Sequence, residues 1–506
     1  METIELALIP APRSTRLNGE SYCLTASTGI VAVPLAEDAI ALLQRTIGGD
    51  LGVQFLTSAG SQDACIRLEL DESLAPEGYT LAVHAQGVTV RASGRAGFLH
   101  AVQTLRQLVQ RDGTIPGVEI EDEPRFAWRG AHLDVSRHFM PIEFVRKYIE
   151  LIAAHKGNVF HFHLTDDQGW RMEISGYPRL TEVAAWRKET VVGHAREPNG
   201  YDGIPHGGFY TRQELVDVVK FADELGVTIV PEIDMPGHMQ AAIAAYPELG
   251  NTGEPIDVWT SFGVSEHVLN LSPASISFME TVLTEVLSIF PSQFIHIGGD
   301  ECPTTQWEQS ESIAALMEAH SIPDVHGVQA WLNRHLDKFL SQRGRRMVGW
   351  DEILEGGLAP GATVMSWRGE EGGITAAKMG HDVVMTPGKW TYFDHYQHED
   401  TESEPLAIGG MATLETVYGY EPVPPQLNEE EVGHVLGSQF QIWTEYMPGP
   451  TEVEYMAYPR GCALAEVLWS PREDRDWESF RTRMERHMGR LTAWGVGARP
   501  LDERPV

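Results

Sequence analysis

Positive charge is what this chain has least of. Lysine and arginine total 38 against 72 aspartates and glutamates, a formal net charge of −34 over 506 residues, with a pI near 4.9. Nucleic acids and anionic membranes need basic patches, so neither is an expected partner, and a neutral or cationic small-molecule substrate is. Cysteine is nearly as scarce. Cys23, Cys65, Cys302 and Cys462 lie far apart without metal-ligand spacing, which indicates neither a disulfide framework nor a zinc site. No hydrophobic run approaches the length of a bilayer span. The start, "METIELALIPAPRSTRLNGE", has no apolar core of signal-peptide length, so the expectation is a cytoplasmic enzyme. A chain trimmed of an export signal would read the same. With 42% hydrophobic and 22% charged residues, the composition is that of an ordinary globular protein long enough for two or three domains.

Residues 1–122 read as a small α+β domain. "ACIRLEL" and "GYTLAVHAQGVTVRAS" alternate as strands do, and "AGFLHAVQTLRQLVQR" has helical spacing. The acidic, proline-bearing "EIEDEPRFAWRG" marks the boundary. From 123 to 506 one theme recurs, a short apolar strand followed by a helical segment. The strands are "GAHLDVSRH", "VFHFHLTDD", "TIVPEIDMPGH", "FIHIGGDE", "RMVGWDE", "TVMSWRG", "DVVMTPG" and "SQFQIWTE", with helical patterns such as "PIEFVRKYIELIAAHKG", "TRQELVDVVKFADELG" and "ISFMETVLTEVLSIF" between them. Parallel strands need crossovers, so eight such units predict a (β/α)₈ TIM barrel of the α/β class. Chemistry in such barrels sits at the carboxyl ends of the strands. Those ends carry Asp134, Arg137, Asp166, His238, Asp300, Glu301, Trp350, Trp367, Trp443 and Glu445.

"FIHIGGDECP" concentrates the question. Phe294, Ile295 and Ile297 suit a buried strand, and Gly298 and Gly299 end it against two adjacent carboxylates. Desolvation and repulsion both oppose ionising such a pair, which suits acid–base work with one group protonated. Neighbours in an extended chain point to opposite faces, so Asp300 and Glu301 are expected to approach a substrate from different directions. "PEIDMPGH" places Asp234 and His238 where an imidazole could tune a carboxylic acid. Trp350, Trp367 and Trp443 end separate strands around one cavity, and aromatic faces with interspersed acids suit a carbohydrate ring.

The motifs "WRGAHLDVSRHF", "NVFHFHLTDDQGWR", "PEIDMPGH", "HIGGDE", "GWDEI", "SWRG", "TYFD" and "QIWTE" span residues 128–445 in the order found in family 20 glycoside hydrolases. The chain resembles a β-N-acetylhexosaminidase of that family, and "LIPAPRSTRL", "EGYTLAV" and "QTLRQL" resemble its small α+β domain. The resemblance implies an exo-acting, retaining enzyme that needs no metal or other cofactor. Its substrate would be an oligosaccharide or glycoconjugate ending in β-linked GlcNAc or GalNAc. Glu301 matches the general acid/base and Asp300 the residue that orients the 2-acetamido group, which is itself the nucleophile through an oxazolinium intermediate. Such substrate assistance is an exception to two-carboxylate catalysis. Tyr392 matches a donor to the acetamido oxygen, and Trp350, Trp367 and Trp443 the walls around acetamide and ring. Arg137 and Glu445 match the holders of the 3- and 4-hydroxyls, Asp394 a ligand to the outer hydroxyls, and Asp166 with His238 a relay supporting Glu301. Where some relatives carry a further tryptophan after "TYFD", this chain reads "EPLAIGG", so the resemblance does not fix its leaving-group contacts.

Two rivals remain at this level. His161 and His163 in "HFH" share a strand face and could form a metal pair, but "GWDE" and "SWRG" add no histidine ligands, and the alternative is hydrogen-bond support of the pocket. A non-catalytic sugar-binding barrel would keep the tryptophans and Arg137 without needing both Asp300 and Glu301. The pairs Gly356-Gly357, Gly372-Gly373 and Gly409-Gly410 lack phosphate-loop spacing and read as turns, and "QLNEEEVG" as a solvated loop.

Overall fold

The computed structural model describes residues 6–57 and 65–502. The first five residues of the acidic start and Ala64 of "ACIRLEL" lie outside them. The N-terminal part is a seven-stranded sheet whose edge-to-edge order runs Ser14–Cys23, Thr114–Asp122, Tyr79–His84, Gly87–Ala92, Ile66–Leu70, Gly29–Ala32, Leu56–Thr57. The expected hairpin is there, with Tyr79 opposite Ala92 and His84 opposite Gly87. Alternate residues of Tyr79–His84 are buried, because one sheet face packs beneath the helix Arg95–Leu108, whose Phe98, Val102 and Leu105 are fully buried. Asp122, at the end of this sheet, ties it to the second part. Its carboxylate accepts from Lys156 Nζ at 2.7 Å, Tyr79 Oη at 2.7 Å and Trp469 Nε1 at 2.8 Å.

Eight parallel strands then close a barrel: β1 Trp128–Asp134, β2 Val159–His163, β3 Thr228–Glu232, β4 Phe294–His296, β5 Arg346–Trp350, β6 Thr363–Ser366, β7 Val383–Met385 and β8 Val435–Phe440, with β8 returning to β1. Each falls within or beside one of the eight expected segments. The helices that cover them include α1 Ile142–Ala154, α2 Arg212–Glu224, α3 Pro273–Ile289, α4 His326–Ser341 and α5 Glu371–Lys378. Starts are chemically marked: Thr211 and Glu214 form a capping box before α2, and Ser272 caps α3 with Pro273 at its first position. Only short helices such as α6 Leu414–Tyr418 join β7 to β8, and α7 Arg460–Trp469 with α8 Trp477–Ala493 finish the outer ring.

The pairing register decides what meets at the carboxyl end. Asp134 is level with His163, His163 with Glu232, and Glu232 with His296. Four ionisable residues on four consecutive strands therefore form one layer, as inward-pointing residues do in such barrels.

Three local expectations change. Gly409-Gly410 is no turn but opens the short strand Gly409–Met411, paired with His395–Tyr396. Gly372-Gly373 is no turn but lies inside α5, where a Cβ at 372 would come within 2.8 Å of the Asp351 side chain and one at 373 within 2.3 Å of Met385 Sδ. The glycines let the helix press onto the sheet. "QLNEEEVG" forms a helical turn, Glu429–Val432, because Asn428 and Glu431 build a capping box. Among the described residues no helix is long and apolar enough to cross a membrane.

Candidate active site

Strand β4 stops at His296, and the chain then turns through Gly298 (φ 66°) and Gly299 (φ 95°). A Cβ at Gly298 would stand 1.7 Å from Asp234 Oδ1, so only glycine fits. That oxygen accepts the Gly299 N–H at 3.1 Å, pinning the turn to the end of β3. Glu301 (φ 44°) and His238 (φ 52°) both occupy the left-handed region, which costs a non-glycine residue roughly 1–3 kcal/mol and concentrates at functional sites. The extended geometry expected for Asp300 and Glu301 is therefore not present. Both carboxylates turn toward one atom: His238 Nε2 is 3.5 Å from Asp300 Oδ2 and 3.6 Å from Glu301 Oε2. They differ in exposure instead, Asp300 at 12% of its side chain and Glu301 at 41%.

The other edge of His238 faces carboxylates as well. Nδ1 lies 3.1 Å from Asp166 Oδ1 and 3.2 Å from Asp167 Oδ2. Burial opposes a charge on this imidazole, but Asp166 and Asp300 outweigh it and hold its pKa well above the ordinary value. The neighbouring His238 imidazolium lowers Glu301, whereas burial raises Asp300. Asp234 is fully buried, and burial with the nearby Asp300 pushes it well above the ordinary carboxyl range.

Arg137 is set by the end of β1. Asp134 Oδ1 accepts the backbone N–H groups of Ser136 at 2.7 Å and Arg137 at 3.1 Å, while Oδ2 accepts Thr444 N–H at 3.1 Å from beyond β8. The guanidinium reaches Asp134 Oδ2 at 3.2 Å, Asp166 Oδ2 at 2.9 Å and Gln168 Oε1 at 3.1 Å, and sits 5.0 Å from the Trp443 ring centre. Glu445 and Asp394 lie close by. Burial raises both, Glu445 against the pull of Arg137 and Asp394 with the added repulsion of Glu445. Each keeps one buried oxygen without a hydrogen-bond partner, a polar edge that a sugar hydroxyl can satisfy.

The aromatic residues line one box. Ring centres are 5.7 Å apart for Trp350 and Trp443, 6.4 Å for Tyr392 and Trp443, and 6.0 Å for the stacked Trp367 and Tyr392. Burial, then Asp394 and Asp300, keeps the Tyr392 phenol protonated and a donor. The Trp350 indole donates to Glu232 Oε1 at 2.9 Å, and Trp367 to Glu352 Oε2 at 3.0 Å. The structure thus brings together all eleven residues to which the resemblance assigns a role.

Glu232 and Glu352 were not singled out. Alternation would have found the first, since "VFHFH" and "TIVPE" put His161, His163 and Glu232 on inward faces. The second stands in the "GWDEI" motif, in the turn after β5, but nothing in that motif says that it holds the Trp367 indole. Ligand-type atoms cluster at His161, Glu232 and His296 and at His132, His163 and Glu232. His163, however, has both ring nitrogens against carboxylates, Nδ1 2.6 Å from Glu232 Oε2 and Nε2 2.9 Å from Asp166 Oδ2. His161 Nδ1 receives Gln439 Nε2 at 2.8 Å. The "HFH" pair is a hydrogen-bonding pair.

A closed parallel barrel with paired carboxyls, a clamped histidine and an aromatic box at its strand ends has the layout of a barrel glycoside hydrolase. Residues 126–472 match the catalytic domain of glycosyl hydrolase family 20, and residues 5–123 its domain 2. The chain belongs to that family. It is 40% identical to a β-hexosaminidase of Porphyromonas gingivalis, over 98% of this chain and 65% of that one. With the β-N-acetylhexosaminidase of Cellulomonas fimi it shares 34% identity over 96% of this chain and 94% of the other. Among solved structures, the exo β-N-acetylglucosaminidase of Vibrio harveyi in complex with N-acetylglucosamine aligns with a TM-score of 0.87 and 33% identity, covering 98% of this chain and 79% of that one. A mutant Streptomyces plicatus β-hexosaminidase in complex with GlcNAc aligns with a TM-score of 0.85 and 30% identity, covering 99% and 98%.

Proposed function

We propose that this protein is an exo-acting, retaining β-N-acetylhexosaminidase that removes terminal β-linked GlcNAc or GalNAc by substrate-assisted catalysis. Its catalytic barrel is residues 123–506, with 1–122 as a supporting α+β domain. The observation that carries the reading is the placement of Asp300 and Glu301 on one edge of His238, beside a box of three indoles and a phenol.

The terminal sugar seats its acetamide between Trp350, Trp367, Trp443 and Tyr392, while Arg137, Glu445 and Asp394 hold its hydroxyls. The Tyr392 O–H donates to the acetamide oxygen and Asp300 accepts from the acetamide N–H, aiming that oxygen at the anomeric carbon. As the C–O bond to the leaving group breaks, the oxygen bonds to the anomeric carbon and Glu301 delivers a proton to the departing oxygen. His238, charged and 3.6 Å behind Glu301, supplies that proton to it, and the greater exposure of Glu301 supports its role on the leaving-group side. Positive charge then develops on the acetamide nitrogen against Asp300, a negative group already in position. Water, giving its proton to Glu301, attacks the same carbon and restores the acetamide. Two displacements at one carbon give retention.

Initial rates on aryl β-glycosides of GlcNAc, GalNAc and glucose test this reading. The first two should be hydrolysed and the glucoside not. Comparable rates on all three would remove the acetamide from the mechanism.

A further inference from the structure

The pocket stands on a layer of ionisable residues that nothing in the proposed reaction uses. At its centre is Glu232, fully buried at the end of β3. Its Oε2 lies 2.6 Å from His163 Nδ1 and 3.0 Å from His161 Nε2, and its Oε1 lies 2.9 Å from the Trp350 indole and 3.0 Å from His296 Nδ1.

The protons in this layer follow from the partners. The Trp128 indole donates to Gln439 Oε1 at 3.0 Å, so the Gln439 amide nitrogen is what faces His161 Nδ1. His161 Nδ1 therefore accepts, and its proton is on Nε2, which lies 3.0 Å from Glu232 Oε2 without making a hydrogen bond to it. His163 stands between two carboxylates with neither nitrogen free to accept. Both nitrogens must donate, so the ring is an imidazolium. The balance of burial against Glu232 and Asp166 agrees, raising His163 well above the ordinary range. Beyond it Asp166 is held ionised, because Arg137 and His238 outweigh the burial that opposes its charge. Charge thus alternates from the barrel axis to the mouth, through Glu232, His163, Asp166 and His238 to the catalytic pair.

We infer that Glu232 is the positioning residue at the root of this ladder: through His163 and Asp166 it sets His238 behind Glu301, and through the Trp350 indole it sets one wall of the acetamide box. A single carboxylate would then join the acid arm to the acetamide pocket, although it lies beneath both. The inference rests on the hexosaminidase reading above.

Glu232→Gln tests it, since glutamine keeps the shape and an acceptor for Trp350 while removing the charge that keeps His163 doubly protonated. The groups facing Glu232 are His161, His163, His296 and Trp350. Those facing His163 are Glu232 and Asp166, with Asp234, Asp134 and His132 beside it. Those facing His238 are Asp166, Asp167, Asp300 and Glu301. With His163 neutral, Asp166 gives its charge more fully to His238, which holds its proton to higher pH. The variant, shown folded by its thermal transition, should lose on the order of 10²-fold in kcat/KM through misplacement of the acid. The loss should be larger for poor leaving groups than for activated aryl glycosides, and the basic limb of the pH profile should move up. Equal losses for both leaving groups with a pH profile that overlies the wild type would reduce Glu232 to a packing residue and overturn the inference.

A second measurement needs neither the variant nor activity. In the ¹⁵N-histidine spectrum of the wild-type protein at pH 9, where solvated imidazoles are neutral, two imidazolium resonances should persist, His163 and His238. One or none overturns the ladder. Loss of the hexosaminidase reading would show instead as a wild-type protein inert toward N-acetylhexosaminides with both resonances intact.

Discussion

The indole of Trp367 donates to Glu352 Oε2 at 3.0 Å, so one wall of the aromatic box hangs from a carboxyl that the surroundings keep neutral. Burial and the nearby Asp300 push Glu352 up to about 8. An acid whose folded pKa exceeds its unfolded value binds more protons when folded, so its contribution falls as pH rises from about 4.5 to about 8. Glu352→Gln removes that dependence. The melting temperature of the variant should decline less than that of the wild type between pH 5 and 8, with the gap between them widest in the variant's favour at pH 8. Parallel curves would show that Glu352 ionises normally.

Glu301→Gln should slow substrates with poor leaving groups by about 10²–10⁴-fold, the usual worth of general acid catalysis, and activated aryl glycosides far less. Rates on a leaving-group series check this, and a uniform loss across the series would make Glu301 structural.

Trp443 packs against His132 at 4.4 Å between ring centres and under the Arg137 guanidinium. Trp443→Ala should cost roughly 3 kcal/mol or more in transition-state binding, comparable to truncating a buried aromatic. The ratio of kcat/KM values in a folded variant measures it, and an unchanged ratio places the indole outside the sugar site.

The nucleophile is tested by removing it. An otherwise identical 2-hydroxy substrate should react slower by several orders of magnitude, because a held intramolecular group carries effective molarities of about 10⁵–10⁸ M. Asp300→Asn should also impair hydrolysis, the product should form with retention, and mass spectrometry should find no sugar on Asp300 or Glu301. A stable glycosyl ester on either would mean an enzyme nucleophile.

Gly298→Ala should destabilise the protein by roughly 1–3 kcal/mol from its left-handed backbone alone, and the collision with Asp234 should displace the following carboxylates. Thermal melting and kcat together check it. A variant with wild-type values for both would show that the turn can move freely.

The barrel was legible because its signals are local. Each strand is a short apolar run and each crossover a helical pattern, and the motifs at their ends sit where strand direction puts them. The eleven candidate residues were legible for the same reason, carried by motifs in family order. Backbone conformation was not. Nothing in "GGDE" announces that Glu301 adopts φ 44°, so alternation pointed the two carboxylates apart when the turn points both at His238. Partner choice was equally hidden. The inward faces of "VFHFH" and "TIVPE" were readable, but that His163 touches both Glu232 and Asp166 depends on the level at which three strands pair. Glycine pairs misled because close packing and turning select the same residue.

Asp134 accepts the Thr444 N–H across 310 positions of sequence, joining the ends of β1 and β8. That seam gives the pocket a birth date. At about 5–20 residues per second of synthesis, the turn bearing Asp300 and Glu301 leaves the ribosome many seconds before Trp443, Thr444 and Glu445 do. Until then the nascent chain has the Asp300–Glu301 pair but no closed wall around it. The carboxylates come first, and the last strand closes the pocket around them.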